Sequence, residues 1–351
     1  PSNHLYIRMN LKIFLAGLAM TAFIFSGSSS AARAATTTWV GGSSGSWNVG
    51  ANWSLGVVPT AADDVVVDSM TYATVTVQFG DFIRFNNLIL TSGALILNGD
   101  ISSGVNITAN AGSVIEQGND NVQKISGNLT LNTSSLFRHT ALTLSSTTPM
   151  INVDANNVYL NGGVIDASGL GYAGGGIGEN GSGPYSGFAG LVAGGGGANC
   201  GDGGNGVDGV GGCAGASPAL FPATFDYGSG GGGNSTRSGG NGGGKIKITA
   251  RNILNLSRAN IFAYGSNFSD ATVVSGGGGG SIWLNAKNFL VHSTLDLPRV
   301  LGGGQRAVVA GGGQPAVVAG GGQRAVVAGG GQRAVVAGGG QPAVVAEGGQ
   351  P

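Results

Sequence analysis

DYGSGGGGNSTRSGGNGGGKIKITA, residues 226–250, sets a run of glycine directly in front of a strand that alternates Lys245-Ile246-Lys247-Ile248-Thr249. The same juxtaposition returns at GGGGSIWLNA, residues 277–286. Glycine holds a fixed shape less readily than any other residue, at a cost of about 0.5–1 kcal/mol relative to alanine. Where a chain leaves one layer and enters the next with its backbone against a neighbour, a Cβ collides, and glycine alone fits at no steric cost. The glycines therefore mark close backbone approach, and the apolar strands on either side hold the fold together.

Working outward, residues 79–166 break into short alternating runs. Leu88-Ile89-Leu90, Leu95-Ile96-Leu97, Leu129-Thr130-Leu131 and Val158-Tyr159-Leu160 are each bounded by Gly, Asn, Asp or Ser. Alternation over a few residues means one buried side per strand, and turn residues at short intervals exclude helix. Two architectures accept this pattern. One is a β-sandwich of hairpins, for which Asn98-Gly99 and Asn161-Gly162 supply the turn signals. The other is a solenoid in which each coil contributes two or three strands. Near-copies favour the solenoid: VYLNGGVIDASG (158–169) returns as LNLSRANIFAYG (254–265), and FLVHSTLDL (289–297) starts the unit a third time. The expected fold is all-β, a right-handed parallel β-helix with glycine-rich excursions.

The first strands carry a motif of their own. WVGGSSGSW (39–47), NWSLGVVP (52–59) and Asp63-Asp64-Val65 follow in order. Together they resemble the opening of many bacterial surface and autotransporter-like proteins built as parallel β-helices. GGGKIKI (242–248) and GGGGSIWLNA are similar to segments of large glycine-rich bacterial surface proteins. The resemblance implies an adhesin-like protein displayed outside the cell, with Trp39, Trp47 and Trp53 packing the start of the coil rather than stacking on sugars.

Address is legible as well. From Met9 the chain reads a basic start at Lys12, an apolar run over 13–25 and small residues ending Ala32-Arg33-Ala34. That is the layout of a secretory signal peptide, with the cut expected between Ala34 and Ala35. The apolar run falls short of the ~20 residues a membrane span needs, and no second span follows. PSNHLYIR before Met9 and a stop within a repeat at Pro351 read as the ends of a translated fragment. Cys200 and Cys213, a close pair in an exported chain, are expected to form a disulfide, worth about 3 kcal/mol by loop closure. The expected organisation is 1–34 upstream residues and signal peptide, 35–168 first β-helix coils, 169–300 glycine-rich repeats with a long excursion, and 301–351 a nonapeptide tail. The excursion has three options: a loose loop, bundled polyproline-II segments, or extra turns; its Tyr172, Phe188 and Tyr227 argue for partial order. The tail, GGGQRAVVA and its copies, has too little apolar surface to bury a core alone and is expected to be poorly ordered or an artefact of a shifted reading frame.

Chemistry is sparse. Lys plus Arg equals Asp plus Glu at 16 each, a balance that suggests no basic stripe and no nucleic-acid partner. His139 and His292 stand in different repeats and read as isolated surface residues. Asp63-Asp64 and Asp202 with Asp208 read as turn residues rather than calcium ligands. Arg84, Lys124 and Arg138 look scattered, and Asp154 and Asp166 are separated by asparagine-rich sequence. No catalytic, cofactor or metal constellation emerges. The expected role is a non-catalytic, exported structural or adhesive protein of the cell surface or medium, offered to glycans, other cells or matrix. The alternatives are a polysaccharide lyase or hydrolase, which needs a carboxylate cluster on neighbouring coils, and an ice- or surface-binding module, which needs a regular threonine row.

Overall fold

The alternating runs become strands because leucine and β-branched side chains at every second position all fall on one face, and each run ends on a turn former. A computed structural model describes residues 34–68, 72–143, 148–199, 209–210, 225–266 and 275–290, and beyond 298 the backbone of strands alone. The chain divides into two units, Pro1–Ala35 and Thr36–Pro351, and every named strand belongs to the second. The expected signal segment lies outside the described residues except for Ala34, which with Ala35 directly precedes the first strand.

In chain order the strands are β1 (Thr36–Thr38), β2 (Ser44–Ser46), β3 (Asp64–Val67), β4 (Thr74–Val77), β5 (Phe82–Leu90), β6 (Gly93–Leu97) and β7 (Asp100–Ala109). There follow β8 (Ser113–Gln117), β9 (Gln123–Asn132), β10 (Leu136–His139), β11 (Ile151–Asn161), β12 (Val164–Asp166), β13 (Lys245–Ser257) and β14 (Asn260–Phe262). The last are β15 (Ser281–Leu290), β16 (Arg299–Leu301), β17 (Arg306–Gly312), β18 (Val317–Gly320), β19 (Ala325–Ala328), β20 (Val335–Gly338) and β21 (Val344–Ala346). One 3-10 turn, Gly50–Asn52, is the sole helical element among the described residues.

The odd-numbered strands form one sheet in sequential order, β2 to β16 form a second, and β18 pairs with β20. Every pairing between named strands is parallel. The hairpin alternative is thereby corrected. Asn98-Gly99 connects β6 to β7 and Asn161-Gly162 connects β11 to β12, and each connection passes from one sheet to the other. These turns redirect the chain, and each apolar triplet then buries itself against its own near-copy instead of against the strand beside it in sequence.

Register rows make the core. Val65, Leu88, Ile107, Leu129, Val158, Leu254 and Phe289 are successive partners across the odd sheet, all essentially buried. Val75, Leu95, Ile115, Phe137, Ile165 and Ile261 do the same across the even sheet. The internal repeat read in the sequence is this register: Val158 pairs with Leu254, Leu160 with Leu256 and Ile165 with Ile261. Trp39, Trp47 and Trp53 pack edge to face at the start of the stack, with ring centroids 5.1 and 4.8 Å apart, and the Trp53 Nε1–H donates to the Trp47 carbonyl at 2.7 Å.

Strands β5, β7, β9 and β11 are longer than the apolar triplets suggested, because an irregularity lets a second run continue the same strand. Asparagines at that irregularity bond from layer to layer. Asn87 Nδ2 donates to Asp64 Oδ1 at 2.6 Å, Asn106 Nδ2 to Asn87 Oδ1 at 2.8 Å, Asn157 Nδ2 to Asn128 Oδ1 at 2.8 Å and Asn252 Nδ2 to Asn157 Oδ1 at 3.0 Å. Between Asn106 and Asn128 the link is the Asn128 backbone N–H to Asn106 Oδ1, 2.9 Å.

The long excursion falls between β12 and β13 without disturbing their neighbours, since β11 still pairs with β13 and β12 with β14. Its described part is a bundle of extended segments around the buried stretch 228–233. Gly228 and Gly231 donate to Gly243 and Gly240, Ser229 and Gly232 to Ala198 and Gly195, and Gly230 and Gly233 to Ser182 and Glu179, all at 2.8–3.1 Å. The partner direction repeats every third residue. That is the three-per-turn geometry of polyproline II, one of the packings the sequence allowed. A Cβ on Gly230 would overlap the Ala173 carbonyl.

The nonapeptide tail, expected to carry little order, contributes strands β17 to β21, with Val308 paired to Val326 and Val326 to Val344. Considered alone the tail buries too little, but β15 offers it a parallel edge to pair with.

Two substitutions separate close packing from conformational preference. Gly56 has φ 72° and open space around its Cβ position, so Gly56→Ala should cost about 1–2 kcal/mol. Gly230→Ala, which must push backbone apart, should cost on the order of 3 kcal/mol or more. Urea unfolding of both variants measures the difference, and equal costs would contradict the bundle.

Candidate functional site

A strand buried on one side presents every second residue outward, and parallel in-register pairing lines those residues up across the sheet. In the odd sheet Arg84 pairs with Ser103, and Lys124, Asp154, Thr249 and Asn285 form a run of partners that the Gly104–Ile125 pairing brings into line with them. Beside Asp154's row, Asn152 pairs with Lys247 and Lys247 with Trp283. Arg251 and Lys287 follow on β13 and β15, both exposed.

The row folds into a cleft of about 190 Å³ lined by Ser102, Ser103, Lys124, Ser126, Asp154 and Arg251. Arg251 shapes its floor. One terminal nitrogen donates to the Ile125 carbonyl at 2.8 Å, and Nε stands 3.2 Å from Asp154 Oδ1, an ion pair whose geometry falls short of a hydrogen bond. Arg84 Nε donates to Ser102 Oγ at 3.3 Å. Lys124 makes no ion pair among the described residues. Adjacent strands lie about 4.8 Å apart, so Arg84, Lys124 and Arg251, each two strands from the next, recur at about 10 Å along the sheet.

The charges balance over the whole chain, yet Arg84, Lys124, Lys247, Arg251 and Lys287 all fall on the outward face of the odd sheet. Arg84 and Lys124 share that face, whereas Arg138 sits on the even sheet in a 2.6 Å ion pair with Glu116. Asp154 and Asp166 lie in different sheets, and Asp166 accepts from the Ser168 backbone. Arg251 escaped the sequence reading because the excursion separates it from Asp154, which is its near neighbour in space.

A second polar cluster lies where the excursion rejoins the stack. His139 continues the inward row Val77, Leu97, Gln117 and is fully buried, which corrects its reading as a surface residue. Its Nδ1 lies 2.6 Å from the Thr140 carbonyl, and its Nε2 accepts the Lys245 backbone N–H at 3.2 Å, so the neutral ring protonated on Nδ1 satisfies both. Burial depresses its pKa to about 4; the Thr140 carbonyl works against that shift and the Lys245 charge adds to it. The Lys245 ammonium lies 4.4 Å from the Tyr227 ring centre and 5.5 Å from that of Phe225. Desolvation lowers its pKa, opposed by Asp226 and Asp120. Tyr227 is pushed upward by burial and then by the same carboxylates, and its hydroxyl donates to the Pro149 carbonyl at 2.8 Å. Each group has its partner, so the cluster acts as a clamp. A Cβ on Gly244 would strike the His139 ring, which explains why the chain re-enters the stack through glycine.

No family model, curated protein or solved structure matches the chain. The remaining sequence candidates divide between structure and silence. Asp63 Oδ2 accepts from the backbone N–H and the hydroxyl of Thr60, which is turn chemistry, while Asp64 heads the asparagine ladder. Trp283 differs from the three buried tryptophans: it is half-exposed on the cationic face, edge-on to Phe225 at 6.4 Å. Cys200, Cys213, Asp202, Asp208 and His292 lie outside the described residues. Among the described residues no three of His, Cys, Asp and Glu gather as a metal site, and no helix is long and apolar enough to cross a membrane.

The clamp sets a pH dependence. The unfolded ring protonates near 6.5 and the folded ring near 4, so the unfolded state binds the extra proton between those values. Stability from this group is complete above about pH 6.5 and falls as the pH drops toward 4, by up to about 3 kcal/mol. The difference in urea-unfolding free energy between the wild-type chain and His139→Gln should shrink over that window. A difference independent of pH would contradict the assignment.

Proposed function

We propose that the chain is an exported, non-catalytic structural and adhesive protein of a bacterial surface or its medium, with residues 35–300 wound as a right-handed parallel β-helix. The winding is supported by strands that alternate between two sheets, each pairing in parallel with the strand two places on. Parallel connections within one sheet are right-handed in about 98% of cases, which supports the hand. The resemblance of the tryptophan motif and the glycine-to-strand junctions to bacterial surface proteins supports the address.

The observation that carries the non-catalytic reading is the state of the cleft. Asp154 is the one carboxylate that lines it, and Arg251 holds that carboxylate as an ion pair. Glycoside hydrolysis by acid and base uses two carboxyl groups flanking the bond, about 5–9.5 Å apart. The described lining supplies one. Ice binding is disfavoured on the same face, where the outward row Val66, Ile89, Thr108, Thr130, Tyr159, Asn255 holds two threonines in succession and then stops. What remains is a long face of serines, asparagines and cations suited to holding a polymer.

The purified chain should sediment with whole bacterial cells or insoluble polysaccharide and release nothing from them. Reducing-end and 235 nm absorbance assays on pectin, alginate and xylan check this. Appearance of new reducing or unsaturated ends would overturn the reading.

A further inference from the structure

Resting on the adhesive reading, we infer that the outward face of the odd sheet, from Arg84 on β5 to Lys287 on β15, is a binding site for acidic polysaccharide. Lys124, Lys247, Arg251 and Lys287 project there from β9, β13 and β15, strands that pair directly or through β11. An isolated anion would need one tight pocket, whereas cations repeated at about 10 Å along a sheet suit a ligand whose charges also repeat. Side chains between the cations specify the rest of the ligand. Ser102, Ser103 and Ser126 offer hydroxyls in the cleft, and Asp154 places a carboxylate among them. That carboxylate opposes a densely charged polyphosphate. It accepts readily from a sugar hydroxyl, so the favoured ligand carries hydroxyls and spaced anionic groups together. Trp283, paired in register with Lys247, supplies a half-exposed ring on which a sugar face can stack. Lys124, Lys247 and Lys287 make no ion pair among the described residues, so their charge is available to a ligand.

The test compares polygalacturonate, dextran sulfate, neutral dextran and duplex DNA as ligands for the full chain. Two variants are read alongside it: Lys124→Gln with Lys247→Gln and Lys287→Gln, and Arg138→Gln on the even sheet as control. The lysine variant truncates two exposed side chains, Lys124 and Lys287, and the partly buried Lys247, and an unchanged β-type circular dichroism spectrum and melting midpoint confirm its fold. Polygalacturonate or dextran sulfate should bind, lose on the order of tenfold in affinity as salt rises, and lose tenfold or more in the lysine variant, with Arg138→Gln unchanged. A carboxylated ligand binding while the sulfated one does not, or the reverse, identifies which anion the face accepts, and either result supports the site. Equal binding of neutral dextran, equal or tighter binding of DNA, or full affinity in the lysine variant would overturn it. Attachment to cells without binding to either acidic polymer would also overturn it while leaving the adhesive reading intact. Cleavage of polygalacturonate would remove the adhesive reading itself.

Discussion

From β1 to β16, parallel pairing between each strand and the strand two places on in the chain is the constraint from which the rest of this structure follows. In-register parallel neighbours place like positions directly above one another at a spacing of about 4.8 Å. A side chain that suits one layer must therefore suit the next. The aliphatic rows through Leu88, Ile107 and Leu129 and through Leu95, Ile115 and Phe137 satisfy that demand by apolar burial. Burying each such side chain contributes about 1.5–3 kcal/mol. The asparagine ladder satisfies it by hydrogen bonding, side-chain amide to side-chain amide between most layers and through the Asn128 backbone N–H at Asn106. On the outward side the same alignment turns cations from distant points of the sequence into neighbours.

The glycine excursion obeys a second version of the rule. A segment surrounded on all sides by backbone cannot carry side chains, and its hydrogen bonds must point in several directions rather than two. Stretch 228–233 follows it at its five glycines, whose Cβ positions are occupied by neighbouring backbone, while its N–H groups turn by one partner per residue; Ser229 carries the one side chain, and its hydroxyl accepts from the Tyr185 backbone N–H. Since it returns the chain to β13 through Gly244 and the buried His139, the order of the bundle is coupled to the order of the stack.

Much of this was legible in the residues. Apolar triplets at every second position gave the strands, the copies at 158–169 and 254–265 gave the register, and the glycine runs gave the points of close approach. Hairpin signals at Asn98-Gly99 and Asn161-Gly162 were misleading, because a turn dipeptide specifies a change of direction and not the partner of the strand that follows. The asparagines bounding Leu129 and Val158 were read as turn formers, where the stack uses Asn128 and Asn157 as ladder rungs; a fixed offset between those residues and the following apolar triplet was the signal that could have shown it. His139 looked exposed because a lone polar residue on a strand usually is, and only the row Val77, Leu97, Gln117 reveals which way it points. The cationic face was hidden for a different reason. Net charge sums over all surfaces, and Arg251 reaches Asp154 only after the excursion has been looped out.

Cysteine pairing across the stack tests the central claim most directly. In a chain carrying Cys200→Ser and Cys213→Ser, the register partners Thr108 and Thr130 are replaced by cysteine. Their Cα atoms, about 4.8 Å apart across parallel strands, lie within the range a disulfide spans. Mild oxidation should close this bond within one chain, as read by mass spectrometry, while Thr108→Cys combined with Thr76→Cys, on the other sheet, stays reduced. Closure of the second pair with the first left open would contradict the stacked parallel order.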